Sequence, residues 1–320
     1  MDSLPPLGRG TAEVLVPTYK IYGELLQQPS NSSAILGKEY QTYSYGSHER
    51  QKLDLYIPSS SVPMPAAGIS RPIFVFFYGG GLVTGDRILS NFPGGLVYRN
   101  IGYFFSEVLG FETIIADYRL LGKGGKAPSG REDVDGVVQW IKERYGLPDK
   151  PRDLFIMATS AGGYLLATWP FNSDLHQKNT AIFDGKSRVH LRGIIFLGTP
   201  FDLNVAAKIS EEYYGSVEQA RADQPLVRIS KIQEGLNPED LSKWPRILVL
   251  VSELDSEDFI VEAGKRLVNE WGRSGAKIEF AILEGHNHIS PPVDLGSDIE
   301  RKEAWGFGVG EWIKSGLFSV

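Results

Sequence analysis

A serine that attacks a carbonyl needs a base to take its proton, an acid to orient that base, and N–H donors for the developing oxyanion. The chain carries candidates for each. Leu154 to Ala158 is an apolar run that ends at Ser160, with Gly162 and Gly163 directly after it. A strand, a sharp turn with serine at its tip and a helix make a nucleophile elbow, and the residues two before and two after the serine must be small. Ala158 and Gly162 stand at those positions. The following helix would aim its first N–H groups at developing negative charge. Taken alone, the stretch also fits a serine that caps a helix.

The rest of the chain favours the chemistry. In this architecture the order is serine, acid, histidine. Ile247 to Val251 reads as a strand, and Glu253, Asp255, Glu257 and Asp258 crowd the segment beyond it. Asp255 lies past the strand and before the next helix, so it is the expected acid. Asp258 reads as the start of that helix. Of the five histidines only His286 and His288 follow the acid, in Glu284-Gly285-His286-Asn287-His288. A base that reaches back over the sheet end must lie past the turn at Gly285, which favours His288. His286 is then a loop-stabilising residue or a pocket wall. Oxyanion donors are expected after the apolar run Ile73 to Phe77, where Tyr78-Gly79-Gly80-Gly81-Leu82 begins. Glycines let backbone N–H groups approach closely. Neither the phosphate-loop nor the dinucleotide glycine spacing is met.

These residues need a scaffold. Apolar runs at 73–77, 112–116, 154–158, 192–197, 247–251 and 278–283 read as strands, and helices are expected over 100–109, 129–145, 258–273 and 311–318. Strands alternating with helices imply an α/β fold with a mostly parallel, doubly wound sheet. Residues 39–45 and 51–57 read as an antiparallel hairpin at its start. Ser129, with Glu132 three residues on, reads as a capping box. Thr11 to Leu26 carries apolar residues at near-helical spacing, and 27–33 reads as a polar loop. The segment 201–243 breaks the rhythm with polar helical stretches such as Ala206 to Tyr213. Segments 1–38 and 201–243 are expected to form a helical cap on one domain spanning 1–320.

Composition narrows the class. Net charge is −6 and apolar residues make up 42%, so a large core is available and nucleic-acid binding has no electrostatic support. The apolar runs are far shorter than the ~20 residues of a membrane span. Met1 to Pro6 lacks the regions of a secretory signal. Without cysteine there is no disulfide or thiol chemistry, which fits a cytoplasmic location. Two histidines without a further clustered ligand do not make a metal site.

The set Tyr78-Gly79-Gly80-Gly81, Asp117-Tyr118-Arg119-Leu120, Pro128 to Val134, Ser160-Ala161-Gly162-Gly163, the Asp255 loop and Gly285-His286-Asn287-His288 resembles the α/β-hydrolases of the hormone-sensitive-lipase-like group. The resemblance runs over roughly residues 50–315. It implies the α/β-hydrolase fold and hydrolysis of carboxylic esters without metal or organic cofactor. It implies an oxyanion hole made by Gly80, Gly81 and Ala161, a structural role for Asp117-Tyr118-Arg119, and a base at the G-x-x-H spacing of Gly285 and His288. The group's H-G-G-G motif departs here to Y-G-G-G, with Tyr78 in place of the histidine that helps hold the glycine loop. The elbow's first glycine is Ala158.

The expected function is therefore a serine hydrolase acting on a hydrophobic ester, thioester or lactone, in keeping with small-molecule biosynthetic pathways. Tyr78 and Leu82 are expected at the substrate, with Phe92, Phe201, Tyr213 and Trp244 as further walls of an apolar pocket. The alternatives are an acyl transferase, cyclase or amidase that shares the triad, or a small-ligand binding protein of the same fold.

Overall fold

The structure, a computed structural model, describes residues 3–66, 69–146, 151–202, 207–273 and 275–316. Its centre is an eight-stranded sheet: β1 (Gln41–Ser44), β2 (Lys52–Tyr56), β3 (Ile73–Phe77), β4 (Glu112–Ala116), β5 (Arg152–Thr159), β6 (Val189–Leu197), β7 (Arg246–Leu254) and β8 (Ile278–Asn287). The spatial order is β1-β2-β4-β3-β5-β6-β7-β8. The β1–β2 hairpin and the β2–β4 pair are antiparallel, and the rest of the sheet is parallel. Ile73 to Phe77 is buried throughout, as a strand covered on both faces must be.

The helices are α1 (Thr11–Leu26), α2 (Pro29–Gly37), α3 (Arg99–Tyr103, running on into a π-turn over Phe104–Val108), α4 (Ser129–Tyr145), α5 (Ser160–Thr168), α6 (Ser173–Phe183), α7 (Ala207–Tyr214), α8 (Val217–Asp223), α9 (Pro225–Gln233), α10 (Pro238–Lys243), α11 (Glu262–Gly272), α12 (Ser290–Asp294) and α13 (Glu300–Ser315). They cover both faces of the sheet. Arg246 on β7 lies over the Trp312 ring of α13 at 4.4 Å. Val249 and Val251, at odd offsets from Arg246, face the other way and meet α11, where a Cβ on Gly264 would sit 3.3 Å from Val249 and 3.5 Å from Val251.

The winding reverses beside β3. The chain steps outward from β3 to β4, then returns to lay β5 on the opposite flank of β3. Loops leaving the carboxyl ends of two strands at such a reversal diverge and leave a crevice. The glycine loop leaves β3 there and Ser160 leaves β5.

Three local expectations need correction. Residues 27–33 are not all loop: Pro29 opens α2, whose Ile35 is buried and whose Asn31 side chain donates to the carbonyls of Leu25 (3.1 Å) and Ser297 (3.0 Å). Proline at the first helical position was the overlooked start signal. Ser129 does not cap α4. It is the first helical residue, its Oγ accepts from Lys126 N at 3.0 Å, and Glu132 pairs with Arg119 instead of closing a box. The closing helix begins at Glu300, not Glu311, because its glycines serve close packing: a Cβ on Gly306 would meet Leu295 at 2.6 Å and Phe104 at 2.8 Å. Ala206, Leu317 and Phe318, placed in helices from the sequence, lie outside the described residues.

Candidate active site

Ser160 sits where β5 turns into α5, with φ +52°. A non-glycine residue there is strained, and the surroundings enforce it. A Cβ on Gly162 would come within 2.3 Å of the Tyr78 carbonyl oxygen, and one on Gly79 within 2.9 Å of Ser160 Cβ. Only glycines let the β3 loop and the elbow pass so closely. Ala158, two before the serine, is fully buried.

Asp255, His288 and Ser160 form one hydrogen-bonded line. Ser160 Oγ lies 2.9 Å from His288 Nε2, and His288 Nδ1 lies 2.6 Å from Asp255 Oδ1. Asp255 is fully buried, and its second oxygen accepts from Ser252 N at 2.7 Å. Asp258 is exposed on the π-turn Glu257–Val261 and takes no part in the line. His286 points elsewhere. Its Nδ1 lies 3.0 Å from Ser290 Oγ and 3.3 Å from Asp294 Oδ2. Burial pushes its imidazole down to about 3, so it stays neutral at working pH.

The glycine loop faces the serine. Gly80 (φ +132°), Gly81 (φ +63°) and Leu82 (φ +68°) follow one another in positive-φ backbone. The Gly80 carbonyl accepts from Val83 N (3.2 Å) and Thr84 N (3.0 Å), but among the described residues no acceptor takes the N–H of Gly80 or Gly81. With Ala161 at the start of α5, both glycines border the same cavity as Ser160.

That cavity has a volume of about 390 Å³. Leu82 lines it, together with Thr11, Leu15 and Tyr19 of α1 and Ile209 of α7. Among the described residues its wall includes no Asp, Glu, Lys or Arg side chain. Tyr78, expected at the substrate, is instead fully buried behind the loop. Its hydroxyl donates to Asp117 Oδ1, and Arg50 Nη2 reaches the Tyr78 hydroxyl at 2.7 Å and Asp117 Oδ1 at 2.6 Å. The Tyr78 ring stacks between Tyr118 (4.7 Å) and Tyr98 (5.6 Å), and a Cβ on Gly85 would strike it at 2.4 Å. Tyr78 therefore pins both ends of the loop. Burial pushes its phenol well above the ordinary range, so it keeps its proton to donate. Burial also raises the Asp117 carboxyl, to about 6, against the pull of Tyr78 and Arg50.

Four other expected walls are also placed elsewhere. Phe92 backs Tyr19 edge-on at 5.5 Å, Trp244 stacks on Phe171 at 5.6 Å, Phe201 meets Phe196 at 5.1 Å, and the Tyr213 hydroxyl accepts from Gly130 N at 3.0 Å.

The sequence reading missed three contributors. Gly198 (φ +53°) follows β6, and a Cβ there would meet His288 Nδ1 at 3.2 Å. A glycine directly after an apolar strand was the same signal as the glycine loop. Asn287 fixes the histidine loop: its Oδ1 accepts from the N–H groups of Ile289 and Ser290, both at 3.0 Å. Arg9 donates to the carbonyls of Glu253 (2.8 Å) and Asp255 (2.9 Å), and nothing local marked it. Among the described residues no group of three His, Cys, Asp or Glu could hold a metal, and no helix is long and apolar enough to cross a membrane.

No protein-family model matches the chain, and no curated protein matches it in sequence. Solved structures do match its shape. EstE1, a thermophilic and thermostable carboxylesterase cloned from a metagenomic library, is 16% identical with a TM-score of 0.62, over 97% of this chain and 98% of that one. Carboxyl esterase 2 of the mycorrhizal fungus Tuber melanosporum is 19% identical with a TM-score of 0.59, over 95% and 99%. The thermophilic esterase Est2 of Thermogutta terrifontis is 18% identical with a TM-score of 0.60, over 89% and 95%. With its mostly parallel sheet and helices on both faces, the chain has the α/β-hydrolase fold.

Proposed function

We propose that this chain is a serine hydrolase that cleaves neutral, largely apolar carboxylic esters through an acyl-enzyme. The observation that carries the reading is the line Asp255–His288–Ser160, which opens on an apolar cavity. His288 Nε2 takes the proton of Ser160 as Oγ attacks the ester carbonyl. Asp255 holds the imidazole with its proton on Nδ1, so that Nε2 is free to act as the base. The N–H groups of Gly80, Gly81 and Ala161 receive the oxyanion. His288 then hands its proton to the leaving alcohol, and water, activated the same way, releases the acid. Thioesters and lactones give the same acyl-enzyme and fall within the proposal, as does a place in small-molecule biosynthesis.

The test is labelling with a fluorophosphonate probe beside turnover of short 4-nitrophenyl esters. Wild type should label and turn over, and Ser160→Ala should do neither. Equal labelling of both would remove the nucleophile. Added alcohols, with product analysis, distinguish hydrolysis from acyl transfer.

A further inference from the structure

One couple of polar side chains in the cavity has no part in that chemistry. Tyr19 comes from α1 and Tyr98 from the segment before α3, and both border the cavity that holds Ser160. The two side chains interact with each other. Among the described residues no other side chain or backbone group hydrogen-bonds either hydroxyl. Both rings are fixed by packing. Tyr98 stacks on Tyr78 with planes 14° apart and leans on Phe76 at 5.4 Å, while Tyr19 stands edge-on to Phe92.

Even where two phenol hydroxyls bond each other, one proton and spare lone pairs remain unused. Whichever phenol donates to the other, the couple can still donate once and accept. Among the described residues no Asp, Glu, Lys or Arg lines the cavity, so the couple is matched to an uncharged oxygen and not to a carboxylate or an ammonium group. Its hydroxyls are held in place before any ligand arrives, so little ordering entropy is lost on binding.

We infer that Tyr19 and Tyr98 form a specificity subsite for a neutral oxygen, a ketone or hydroxyl, on the non-reacting part of the substrate. The inference rests on reading the cavity as the place of ester cleavage. It narrows the substrate from any apolar ester to an oxygenated one. A site built to hydrogen-bond such a group discriminates against the analogue that lacks it, because its own polar groups are left unpaired.

The test is a series of straight-chain esters in which one methylene is replaced by a ketone, moved stepwise along the acyl arm and then the alcohol arm. For each, kcat/KM is divided by that of the all-methylene parent. In wild type at least one ketone ester should be favoured by about tenfold or more. That ratio should fall to about one in Tyr98→Phe and drop clearly in Tyr19→Phe, which also serves if the Tyr98 variant folds poorly. A wild type that cleaves every parent ester yet favours no ketone, or a preference that survives both substitutions, overturns the subsite and leaves the hydrolase standing. A protein that neither labels with fluorophosphonate nor cleaves any parent ester loses both readings.

Discussion

Thr18 and Asn287 are hydrogen-bonded to each other, Nδ2 to Oγ1 at 2.8 Å, and both are buried. This ties a cavity wall to the base. Asn287 holds the turn that carries His288, while Thr18 lies on the helix that contributes Leu15 and Tyr19 to the cavity. Arg9, just before that helix, grips the carbonyl of Asp255. Thr18→Val would leave the Asn287 amide unpaired in the interior, at a cost of about 1–3 kcal/mol. The expected result is a melting temperature lower by roughly 2–8 °C and kcat reduced about tenfold, with Thr18→Ser close to wild type. Calorimetry and steady-state kinetics check this, and a Thr18→Val protein with unchanged kcat would uncouple the helix from the base.

Ser160→Ala and His288→Ala should each lower turnover by about 10³–10⁶-fold, and the double variant should be no worse, because the pair acts as a unit. Asp255→Asn should cost about 10⁴-fold by favouring the wrong tautomer. Asp258→Asn and His286→Ala should cost far less, since neither residue touches the line. Rates of 4-nitrophenyl ester cleavage decide. A dead His286 variant beside an active His288 variant would reassign the base.

Ser160 occupies backbone that glycine would prefer. Ser160→Gly should therefore be more stable than Ser160→Ala by about 1 kcal/mol, seen as a higher melting temperature, although both are inactive. Equal melting temperatures would mean that the elbow carries no strain.

The burial of Asp117 predicts a pH dependence. Burial pushes its carboxyl up to about 6 from an ordinary 3.8. A raised value means that the folded protein binds this proton more tightly than the unfolded chain. The corresponding stability is fully present below about 4 and is lost as pH rises through about 6. The melting temperature of wild type minus that of Asp117→Asn should therefore fall over this window and level off above it. A flat or rising difference would rule out burial as the dominant influence on Asp117.

The elbow, the β3 run and the glycine loop were legible because each rests on short-range sterics: a small residue at a fixed offset, or an apolar run ended by glycines. What the sequence did not reveal depends on partners far along the chain. Tyr78 follows β3 directly and looked like a pocket residue, but Arg50 and Asp117 draw it behind the loop. Asn287 stood in view between two histidines, yet its role needs Thr18, which only the folded chain brings near. The first half of α13 was not legible, because the reason for Gly306 lies in contacts with Phe104 and Leu295 that only the folded chain makes.

Val16 lies on α1 between residues that line the cavity and is itself 72% exposed. The chain contains no cysteine. Val16→Cys would thus create a unique thiol on the outer surface of a cavity wall, open to maleimide chemistry without protecting groups. A fluorophore attached there reads the position of α1 in real time, and a second thiol at an exposed helix end on the opposite flank of the sheet turns it into a distance gauge. Any movement of that wall then becomes directly observable, independent of any substrate being turned over.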